Sequence, residues 1–583
     1  MDADPYRRKL HYRAHHRGTR EADAMVGGFF EIEAKDFSDL KSWEPGMKAV
    51  AINEKVRSDG KAYQAETAGV TGSIQPIHTS GSEWDGQTKQ DELNVKGPYG
   101  IKWKYLHGRR GIVKITGFTN TAEVTGTVTQ RLPDSITSVP TFRWSHGAFS
   151  NAKGWPSIVL TGFGRQIHFK EFDIHGSVVG DYGGGRVNFA KYTDSGQLTA
   201  DMAFRRTIAT EDPPLCASMS GRKMVVGTAS KELAIGAINT ALAVAGDNIS
   251  ADPQSFYGCE AVFPVLVGTE AIFVERGGRR LRASDYDFGR DRYAANDLTA
   301  SARHITKSGV LQLAYQRSPW SMLYGVRSDG QMIVHCNTKL DIKGFARTIL
   351  GGSAKVLSTV TAFGADGKTD ELWCLIERTR ADGVMREIWK QAKWHDLGDA
   401  REEVFFVDGG VRIAATAGQT VFPGLTHLAG QAVAVLANGG VVKEQSVSAG
   451  GVLTLPASVV PDFAYTLIVG LQYTARAITL RPEVRQRGET VQGVRQKLQK
   501  LVMRVLDTIS ILVGDRDGPV EEIIDRQPNQ SMDQGIPLFS GDTPGDIDGQ
   551  FDRRGQAQWI SEDPVPCIVS AAMMVVEVDQ SNG

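Results

Sequence analysis

Four aromatic side chains near the start of the sequence are the residues best suited to bind a small ligand: Trp43, Tyr63, Trp84 and Trp103. Such a ring binds a sugar when the apolar CH face of the sugar packs against the face of the π system. Trp84 lies between Gly81 and Gly86 in a polar stretch that we interpret as a loop, so it is the best candidate for an exposed platform. The four rings lie in a small predicted module, residues 41–106, which also needs large apolar residues for its own core. We favour this second interpretation, in which the four rings form that core.

Two groups of aspartates carry the oxygen ligands that calcium prefers: Asp515 with Asp517, and Asp546 with Asp548 and Asp552. Neither group has the spacing of an EF-hand, and Asp-Gly turns are frequent in β proteins. We therefore predict no metal at either group. His15 and His16 are likewise predicted to be solvated residues rather than metal ligands.

The sequence contains no catalytic motif. Gly351 to Lys355 includes glycines and a lysine but lacks the Gly-x-x-x-x-Gly-Lys spacing of a phosphate-binding loop. The signatures of serine hydrolases, zinc proteases and deaminases are missing as well. A carboxylate pair for glycoside cleavage has no sequence signature and would be hidden among the 67 acidic residues. The prediction is a protein that is not an enzyme, with no catalytic residues and no cofactor.

Length and charge limit the class of protein. A chain of 583 residues is too long for one compact core and indicates about three or four domains. The 66 basic and 67 acidic residues give a net charge of −1, so no strong field attracts nucleic acid or a membrane surface. The 64 glycines are typical of many turns between short strands.

The cysteines and the apolar runs indicate assembly inside a reducing cell. The five cysteines are isolated in the sequence and predict neither a zinc site nor a disulfide framework: Cys216, Cys259, Cys336, Cys374 and Cys567. The N-terminal residues lack the apolar segment of a secretion signal. No run approaches the ~18 apolar residues that a membrane helix needs, so no membrane-spanning segment is expected.

The stretch from Tyr257 to Cys336 is a series of predicted β-hairpins around which the other segments are arranged. Its motifs are Tyr257-Gly258-Cys259, Arg276-Gly277-Gly278-Arg279-Arg280, Asp285-Tyr286-Asp287-Phe288, Asp297-Leu298-Thr299 and the hairpin from Trp320 to Val334. Within the last of these, Asp329-Gly330 separates two apolar runs. This pattern is a strong hairpin signal because glycine adopts the positive φ that a tight turn requires.

The order of these motifs resembles that of the tail nozzle proteins of short-tailed bacteriophages, also called tail tubular protein B. The resemblance covers about residues 43–578 and rests on structural motifs. It implies a homo-hexameric ring docked on a tail adaptor ring, with tail fibres or spikes as further partners. It also implies that genomic DNA passes through the ring without specific binding. The implied location is the virion tail, after assembly in the host cytoplasm.

The expected fold class is mainly β, with an irregular β-propeller, a small aromatic-rich β module and a second, β-sandwich-like domain. Predicted hairpins begin near Met224, Phe263, Trp320 and Glu371, at offsets of 39, 57 and 51 residues. Propeller blades recur at roughly 40–50 residues, so an irregular propeller fits. The predicted divisions are a short helical N-terminal arm at 1–40, a small carbohydrate-module-like β domain at 41–106, a β-propeller-like hairpin array at 107–400, a β-sandwich-like domain at 401–515, and a C-terminal loop with closing strands at 516–583. The segment 41–106 also resembles small aromatic-rich modules of chitinases. Leu498 to Val513 has both a helical stripe and a strand face, and its β-branched residues favour strand.

The N-terminal segment, about residues 7–38, carries a second resemblance. Arg17-Gly18-Thr19-Arg20-Glu21, Met25-Val26 and Phe29-Phe30-Glu31 are similar to the opening of the succinate dehydrogenase assembly factors. In that family the Arg-Gly-x-x-Glu motif docks on the flavoprotein subunit during flavin attachment. The match ends near Leu40, and a fragment of a helical bundle does not bury its apolar face alone. We therefore favour a helical arm, with one or two short helices over Tyr6 to Met25.

The expected function is that of a structural virion protein forming the distal tail nozzle, the conduit for DNA. The alternative is a carbohydrate-binding or depolymerase surface protein. A third hypothesis is a flavin-attachment factor fused to other domains. A conduit must let DNA slide, and each Lys or Arg that binds phosphate strengthens the hold on the duplex. We therefore expect Arg279, Arg280 and Arg282 to face the protein's own hairpins or neighbouring subunits.

Overall fold

The structure is a computed structural model that describes residues 7–11, 26–34, 39–47, 50–86, 88–91, 94–98, 100–120, 123–137, 139–181, 187–192, 197–337, 343–380, 383–483, 485–486, 489–490, 493–524, 535–547 and 549–579. Within these ranges the chain forms β-strands joined by turns, with short 3-10 helices and no α-helix. The mainly β fold class is therefore confirmed. The chain divides into two compact units, residues 1–277 with 281–296 and residues 278–280 with 297–583.

The first unit begins with an antiparallel sheet that encloses a small module in sequence. Its strands are β1 (Arg7–His11), β2 (Phe29–Glu33), β3 (Lys41–Ser42), β4 (Lys55–Ser58), β5 (Lys61–Ala65), β6 (Ser82–Trp84), β7 (Thr88–Asp91), β8 (Asn94–Pro98), β9 (Lys102–Gly108), β10 (Arg110–Asn120), β11 (Glu123–Gln130) and β12 (Trp144–His146). The outer sheet has the order β1-β11-β10-β2-β12, and the module has the order β3-β4-β5-β9-β6 beside a β7-β8 hairpin.

The predicted helical arm at 1–40 is wrong where the structure describes it. Arg7–His11 is a strand whose Leu10 pairs with Val124, and Phe30 in β2 pairs with Val113. The apolar and polar residues of Phe29–Glu33 alternate, so β2 buries Phe30 and Ile32 against the sheet. Residues 12–25, which include His15, His16 and the Arg-Gly-x-x-Glu motif, lie outside the described residues. The chain passes from the outer sheet to the module sheet between β2 and β3, near the predicted boundary at residue 40, but the strands before it pair with β10 and β11 and form no separate arm.

Three four-stranded antiparallel sheets follow in the first unit, each with its strands in sequence order. The first blade contains β13 (Ile158–Gly162), β14 (Arg165–Lys170), β15 (Asp173–Gly176) and β16 (Phe204–Thr207). The second blade contains β17 (Cys216–Ser220), β18 (Lys223–Gly227), β19 (Glu232–Gly236) and β20 (Ser250–Ser255). The third blade contains β21 (Val265–Val267), β22 (Glu270–Val274), β23 (Leu281–Asp287) and β24 (Arg292–Asp297). Such consecutive meanders are the building blocks of β-propellers.

A shared core joins the first two blades. Phe169 and Ile174 of the first blade and Met224 and Ile235 of the second belong to one buried apolar cluster. Burying such side chains is the main source of stability in a sheet protein, at roughly 25 cal/mol per Å² of apolar surface. Apolar and polar side chains alternate along each strand, and this alternation determines which face of each sheet packs into the shared core.

A fully buried arginine ties three loops to the first blade. Arg165 is 0% exposed and lies at the start of β14. Its Nη1 donates to the carbonyl oxygens of Ser177 (3.0 Å) and Met202 (2.9 Å), and its Nη2 donates to those of Ala200 (2.8 Å) and Val244 (3.0 Å). The four acceptors come from segments far apart in sequence, so this one side chain fixes their relative positions.

The second unit opens with two more blades and a small sheet domain. The fourth blade contains β25 (Val310–Gln316), β26 (Met322–Arg327), β27 (Met332–Asn337) and β28 (Lys343–Thr348), and the fifth blade contains β29 (Lys355–Phe363), β30 (Asp370–Arg380) and β31 (Gly383–Lys390). The next strands are β32 (Asp408–Ala415), β33 (Val421–Phe422), β34 (Ala432–Ala437), β35 (Gly440–Ser446), β36 (Leu453–Thr454) and β37 (Tyr465–Leu471). They form the sheets β32-β37-β34-β35 and β33-β36.

The final strands form a sandwich that crosses the division predicted at residue 515. They are β38 (Ala475–Ile478), β39 (Arg485–Gln486), β40 (Glu489–Thr490), β41 (Gln496–Thr508), β42 (Leu512–Asp515), β43 (Val520–Glu522), β44 (Phe539–Asp546), β45 (Ala557–Ser561) and β46 (Ile568–Val578). The main sheets have the orders β38-β45-β42-β43 and β44-β41-β46, beside a β39-β40 hairpin. They share a core that includes Leu501, Met503 and Val513. Residues 401–515 and 516–583 are therefore not separate, because strands on both sides of 515 pair with one another.

Two local predictions in the second unit are confirmed. The hairpin at the Asp329-Gly330 turn is β26-β27, with Tyr324 opposite Val334, and Gly330 has φ +84°. The ambiguous segment from Leu498 is a strand over most of its length, because β41 lies between two neighbours and buries one face.

Candidate functional site

The four aromatic residues of the module divide into two groups. Tyr63 and Trp103 are 0% exposed and form the module core with Val56 and Ile101. Trp43 is half-buried and packs against the same core. Tyr63 and Trp103 therefore present no ring face on which a sugar could stack. Their burial agrees with the interpretation that a small module uses its large aromatic residues as its own core.

Asp85 fixes the orientation of two of these indoles. Its Oδ2 accepts hydrogen bonds from Nε1 of Trp43 (3.0 Å) and Nε1 of Trp103 (2.7 Å), and its Oδ1 accepts one from the Ile101 amide (2.7 Å). The side chain is buried, with 1% exposure of the residue. A buried carboxylate is tolerated because three N–H groups compensate for the lost water. The sequence analysis assigned no role to Asp85.

Trp84 is the remaining candidate platform. It lies on β6 at the edge of the module sheet, opposite Lys102, and not in the loop that the sequence suggested. The reason is that the short run Ser82–Trp84 pairs with β9, which supplies its backbone hydrogen bonds. The side chain is half-buried, so part of it faces solvent. Glycan stacking at Trp84 stays a prediction.

The aspartates considered as calcium ligands have other partners. Asp517 pairs with Nη1 of Arg554 (2.8 Å), and Asp546 lies 3.9 Å from Nζ of Lys500. Oδ1 of Asp552 accepts hydrogen bonds from the amides of Arg554 and Gly555. Burial raises the pKa of Asp515. Asp548 lies outside the described residues. In the part of the chain that the structure describes, no three His, Cys, Asp or Glu side chains are grouped to hold a metal ion.

Arg282 of β23 contacts Tyr257, the first residue of the central motifs. Its guanidinium carbon lies 3.4 Å from the centroid of the Tyr257 ring, its Nε donates to Oε2 of Glu275 (2.6 Å), and its Nη1 donates to the carbonyl of Ala295 (2.7 Å). Arg282 is buried, as is most of Glu275, so this ion pair is shielded from solvent. We call these four residues the Arg282 joint. The expectation that Arg282 faces the protein's own hairpins is confirmed, whereas Arg279 is exposed and Arg280 half-buried.

The Tyr-Gly-Cys motif attaches the chain between the second and third blades to both of them. The Cys259 amide donates to the Thr228 carbonyl of the second blade (2.8 Å), and the Arg276 amide next to the third blade donates to the Gly258 carbonyl (3.0 Å). Gly258 has φ +73°, and a Cβ there would lie 2.2 Å from the carbonyl oxygen of Ala229. The motif therefore requires glycine at position 258 for two reasons: the positive φ of its backbone and the close approach of the chain at Ala229.

A buried acid supports the same junction. Glu232 of β19 is 2% exposed, and its Oε2 accepts hydrogen bonds from the Ser255 hydroxyl (2.5 Å) and the Tyr257 amide (3.4 Å). Burial raises the pKa of Glu232. Together with the Arg282 joint, this contact fixes the segment that leaves β20. Sequence reasoning identified the motif but not Glu232, which has no distinctive spacing.

The fifth blade has an uncovered apolar face. By register, Val360, Trp373, Leu375, Val384 and Ile388 lie on one side of the sheet, and we call this side the β31 face. Val360 is 57%, Val384 59% and Ile388 72% exposed. The opposite side packs against the fourth blade through Leu372 and Ile376.

Among the residues that the structure describes, no strand pairs with the outer backbone edge beside this face. β31 is the outermost strand of a three-stranded sheet, where the four blades before it have four strands. Apolar patches of this kind on a soluble protein commonly mark contact surfaces. An open strand edge likewise invites pairing with another chain.

No family model and no curated protein matches the chain. Solved structures that are similar include a protein of Lactobacillus plantarum, with 10% identity over 61% of this chain and 97% of that one, at a TM-score of 0.26. Another is PorZ, a surface component of the type-IX secretion system of Porphyromonas gingivalis, with 12% identity over 73% of this chain and 55% of that one, at a TM-score of 0.23. A third is an exo-β-1,3-galactanase of Phanerochaete chrysosporium, with 9% identity over 71% and 96%, at a TM-score of 0.20.

Among the residues that the structure describes, no helix has the length and apolar character needed to cross a lipid bilayer.

Proposed function

We propose that this protein is a structural component of the tail of a short-tailed phage or prophage virion, where it forms the distal nozzle that conducts DNA, and that it is not an enzyme. The observation that carries the proposal is the role of the central motifs. The segment Tyr257-Gly258-Cys259, one of the motifs that resemble those of nozzle proteins, joins the second and third blades. Residues used in this way fit a rigid scaffold, whose function is to keep its shape under load.

The charges of the joint support a conduit. Arg282 is neutralised by Glu275 and covered by Tyr257, so it is not available to bind phosphate. A wall that binds few phosphates releases few counterions and leaves the duplex free to slide. The net charge of −1 for the whole chain agrees with this requirement.

The β31 face supports assembly into a ring of six copies on an adaptor ring. We infer that its occupant is a second copy of this chain. In such a contact the β31 face of one copy packs against a different surface of the next copy, which makes the contact heterologous. Heterologous contacts close into a ring when the rotation between copies permits it. The isolated chain is expected to be monomeric or weakly associated, so that rings form only on the adaptor.

Electron microscopy of purified virions tests the proposal. We expect six-fold density for this chain below the adaptor ring, and loss of that density in virions made with the Ile388→Asp variant, because a buried carboxylate without a partner opposes the contact. Leu242→Asp, at a residue of the first unit that is 61% exposed, is the matched control and should leave the density unchanged. Absence of the chain from virions would overturn the assignment. So would binding of duplex DNA tighter than about 1 µM at physiological salt in a mobility-shift assay.

The second candidate function is binding of cell-surface carbohydrate by the module, and it rests on the part of Trp84 that faces solvent. If the module binds a glycan, Trp84→Ala should weaken binding about tenfold in calorimetry, since one stacked ring contributes about 1 kcal/mol or slightly more. The melting temperature should stay unchanged.

Trp103→Ala provides the contrasting variant. This ring is fully buried, so its removal should destabilise the module by about 3–5 kcal/mol. If wild-type protein binds no cell-wall or capsule sugar, or if Trp84→Ala binds as well as wild type, the glycan hypothesis fails and the module is a spacer.

A further inference from the structure

The second blade contains two cysteines in direct contact, although the sequence places them far apart. Sγ of Cys216 lies 3.1 Å from Sγ of Cys259, and the two residues are 43 positions apart. Cys216 is the first residue of β17, and Cys259 follows the end of the same blade. Both thiols are free, and the residues are 3% and 2% exposed.

The surroundings leave space for the two sulfurs to approach each other. Gly227 lies opposite Cys216 in β18, and a Cβ there would be 2.3 Å from Sγ of Cys259 and 2.8 Å from Sγ of Cys216. Any other residue at position 227 would therefore displace the pair. Phe273 and Ala295 complete an apolar cluster around the sulfurs. A water-poor pocket of this kind admits only small reactants.

We propose that Cys216 and Cys259 form an oxidation site, at which a small peroxide converts the two thiols into a disulfide that closes the second blade into a covalent loop. This inference does not depend on the proposed function. The bond would enclose all four strands β17 to β20, because the cysteines flank the sheet in sequence. A disulfide has an S–S length of about 2.05 Å, so the sulfurs must move about 1 Å closer.

The chemistry balances with hydrogen peroxide as the oxidant. The thiolate of one cysteine attacks a peroxide oxygen, the O–O bond breaks, and a sulfenic acid forms while hydroxide leaves and takes up the released proton as water. The second thiol then attacks the sulfenic sulfur, the S–O bond breaks, and a second water leaves. In total two thiols lose two electrons and two protons, and one peroxide becomes two waters. Contact with the Cys216 thiol and burial both raise the pKa of Cys259, so the reaction should be slow.

Peptide mapping of the full chain tests the site. Reduced protein is treated with hydrogen peroxide under native conditions, alkylated with N-ethylmaleimide in denaturant, and digested. We expect a cross-linked peptide pair containing Cys216 and Cys259, lighter than the two free peptides by two hydrogen atoms, while Cys336, Cys374 and Cys567 yield no cross-link. Recovery of both thiols fully alkylated, or of either cysteine only as sulfinic acid or joined to another cysteine, would overturn the proposal.

Thermal unfolding provides a second readout that needs no variant. A disulfide between cysteines 43 positions apart restricts the unfolded chain. The oxidised protein should therefore melt about 5–10 °C higher than the reduced protein, and dithiothreitol should reverse this increase in melting temperature. The Cys216→Ser variant should lose both the cross-link and the gain, whereas Cys374→Ser, at another buried cysteine, should keep both. An equal peroxide effect on the melting temperature of Cys216→Ser would show that the gain has another origin and would contradict the site.

Discussion

Replacing Arg165 with methionine should lower the free energy of unfolding of the first unit by about 3–5 kcal/mol. The guanidinium donates four hydrogen bonds to backbone carbonyls, and the residue is 0% exposed. A substitution removes the donors but cannot remove the acceptors, because they belong to the backbone. Four carbonyl groups, of which those of Ser177 and Val244 belong to buried residues, would then lose this donor, and the apolar replacement offers no compensation.

Urea denaturation, followed by a probe in the first unit, measures this effect. Arg165→Lys should recover only part of the loss, because a single ammonium cannot reach the acceptors that the planar guanidinium spans. Arg205→Met is the matched control, since this exposed arginine pairs with Asp173 on the surface and should cost less than about 1 kcal/mol. A loss for Arg165→Met no larger than that of the control would contradict the role assigned to Arg165.

Gly258→Ala should destabilise the first unit by about 3–4 kcal/mol. The φ of +73° costs an alanine about 1 kcal/mol, and its Cβ would lie 2.2 Å from the Ala229 carbonyl oxygen, which adds the cost of moving two backbone segments apart. The loss should also loosen the contact between the second and third blades, because Gly258 joins them.

Gly268→Ala separates the two contributions. Gly268 also has a positive φ, +64°, but a Cβ there would meet no atom within 4 Å. Its substitution should therefore lower stability only by the cost of a positive φ for alanine, about 1 kcal/mol. Melting curves of the two variants measure the difference, which is the energy of the close approach at Gly258. Equal losses of stability for the two variants would mean that the backbone at Ala229 moves away without cost. That result would contradict a rigid contact at Gly258.

Several local features could be predicted from the sequence because their causes are local. The β26-β27 hairpin follows from the Asp329-Gly330 turn, whose glycine has φ +84°. The strand over most of Leu498 to Val513 follows from β-branched residues that fit a pleated, half-buried surface.

Other features depend on partners far away in the chain and have no local signal. Leu10 pairs with Val124, so the strand Arg7–His11 exists because of a neighbour that follows more than 100 residues later. The division at 515 failed for the same reason, since β42 pairs with β45. Asp85 is a hydrogen-bonding centre only because Gly100 leaves room beside it, as a Cβ at Gly100 would lie 2.2 Å from its Oδ1.

The position of β41 between its two neighbours has a consequence for protein synthesis. Thr508 of β41 contacts Ile568 of β46, 60 residues further along the chain. At roughly 5–20 residues per second, the ribosome needs several seconds to supply that neighbour. Until β44 (Phe539–Asp546) is made, the 13-residue strand β41 carries apolar side chains such as Leu501 and Val505 with neither edge paired, and until β46 is made one edge stays open. The nascent chain is then most exposed to association with other nascent chains. We therefore expect the yield of folded protein to depend on the translation speed between β41 and β46, and on chaperones that bind the unpaired strand.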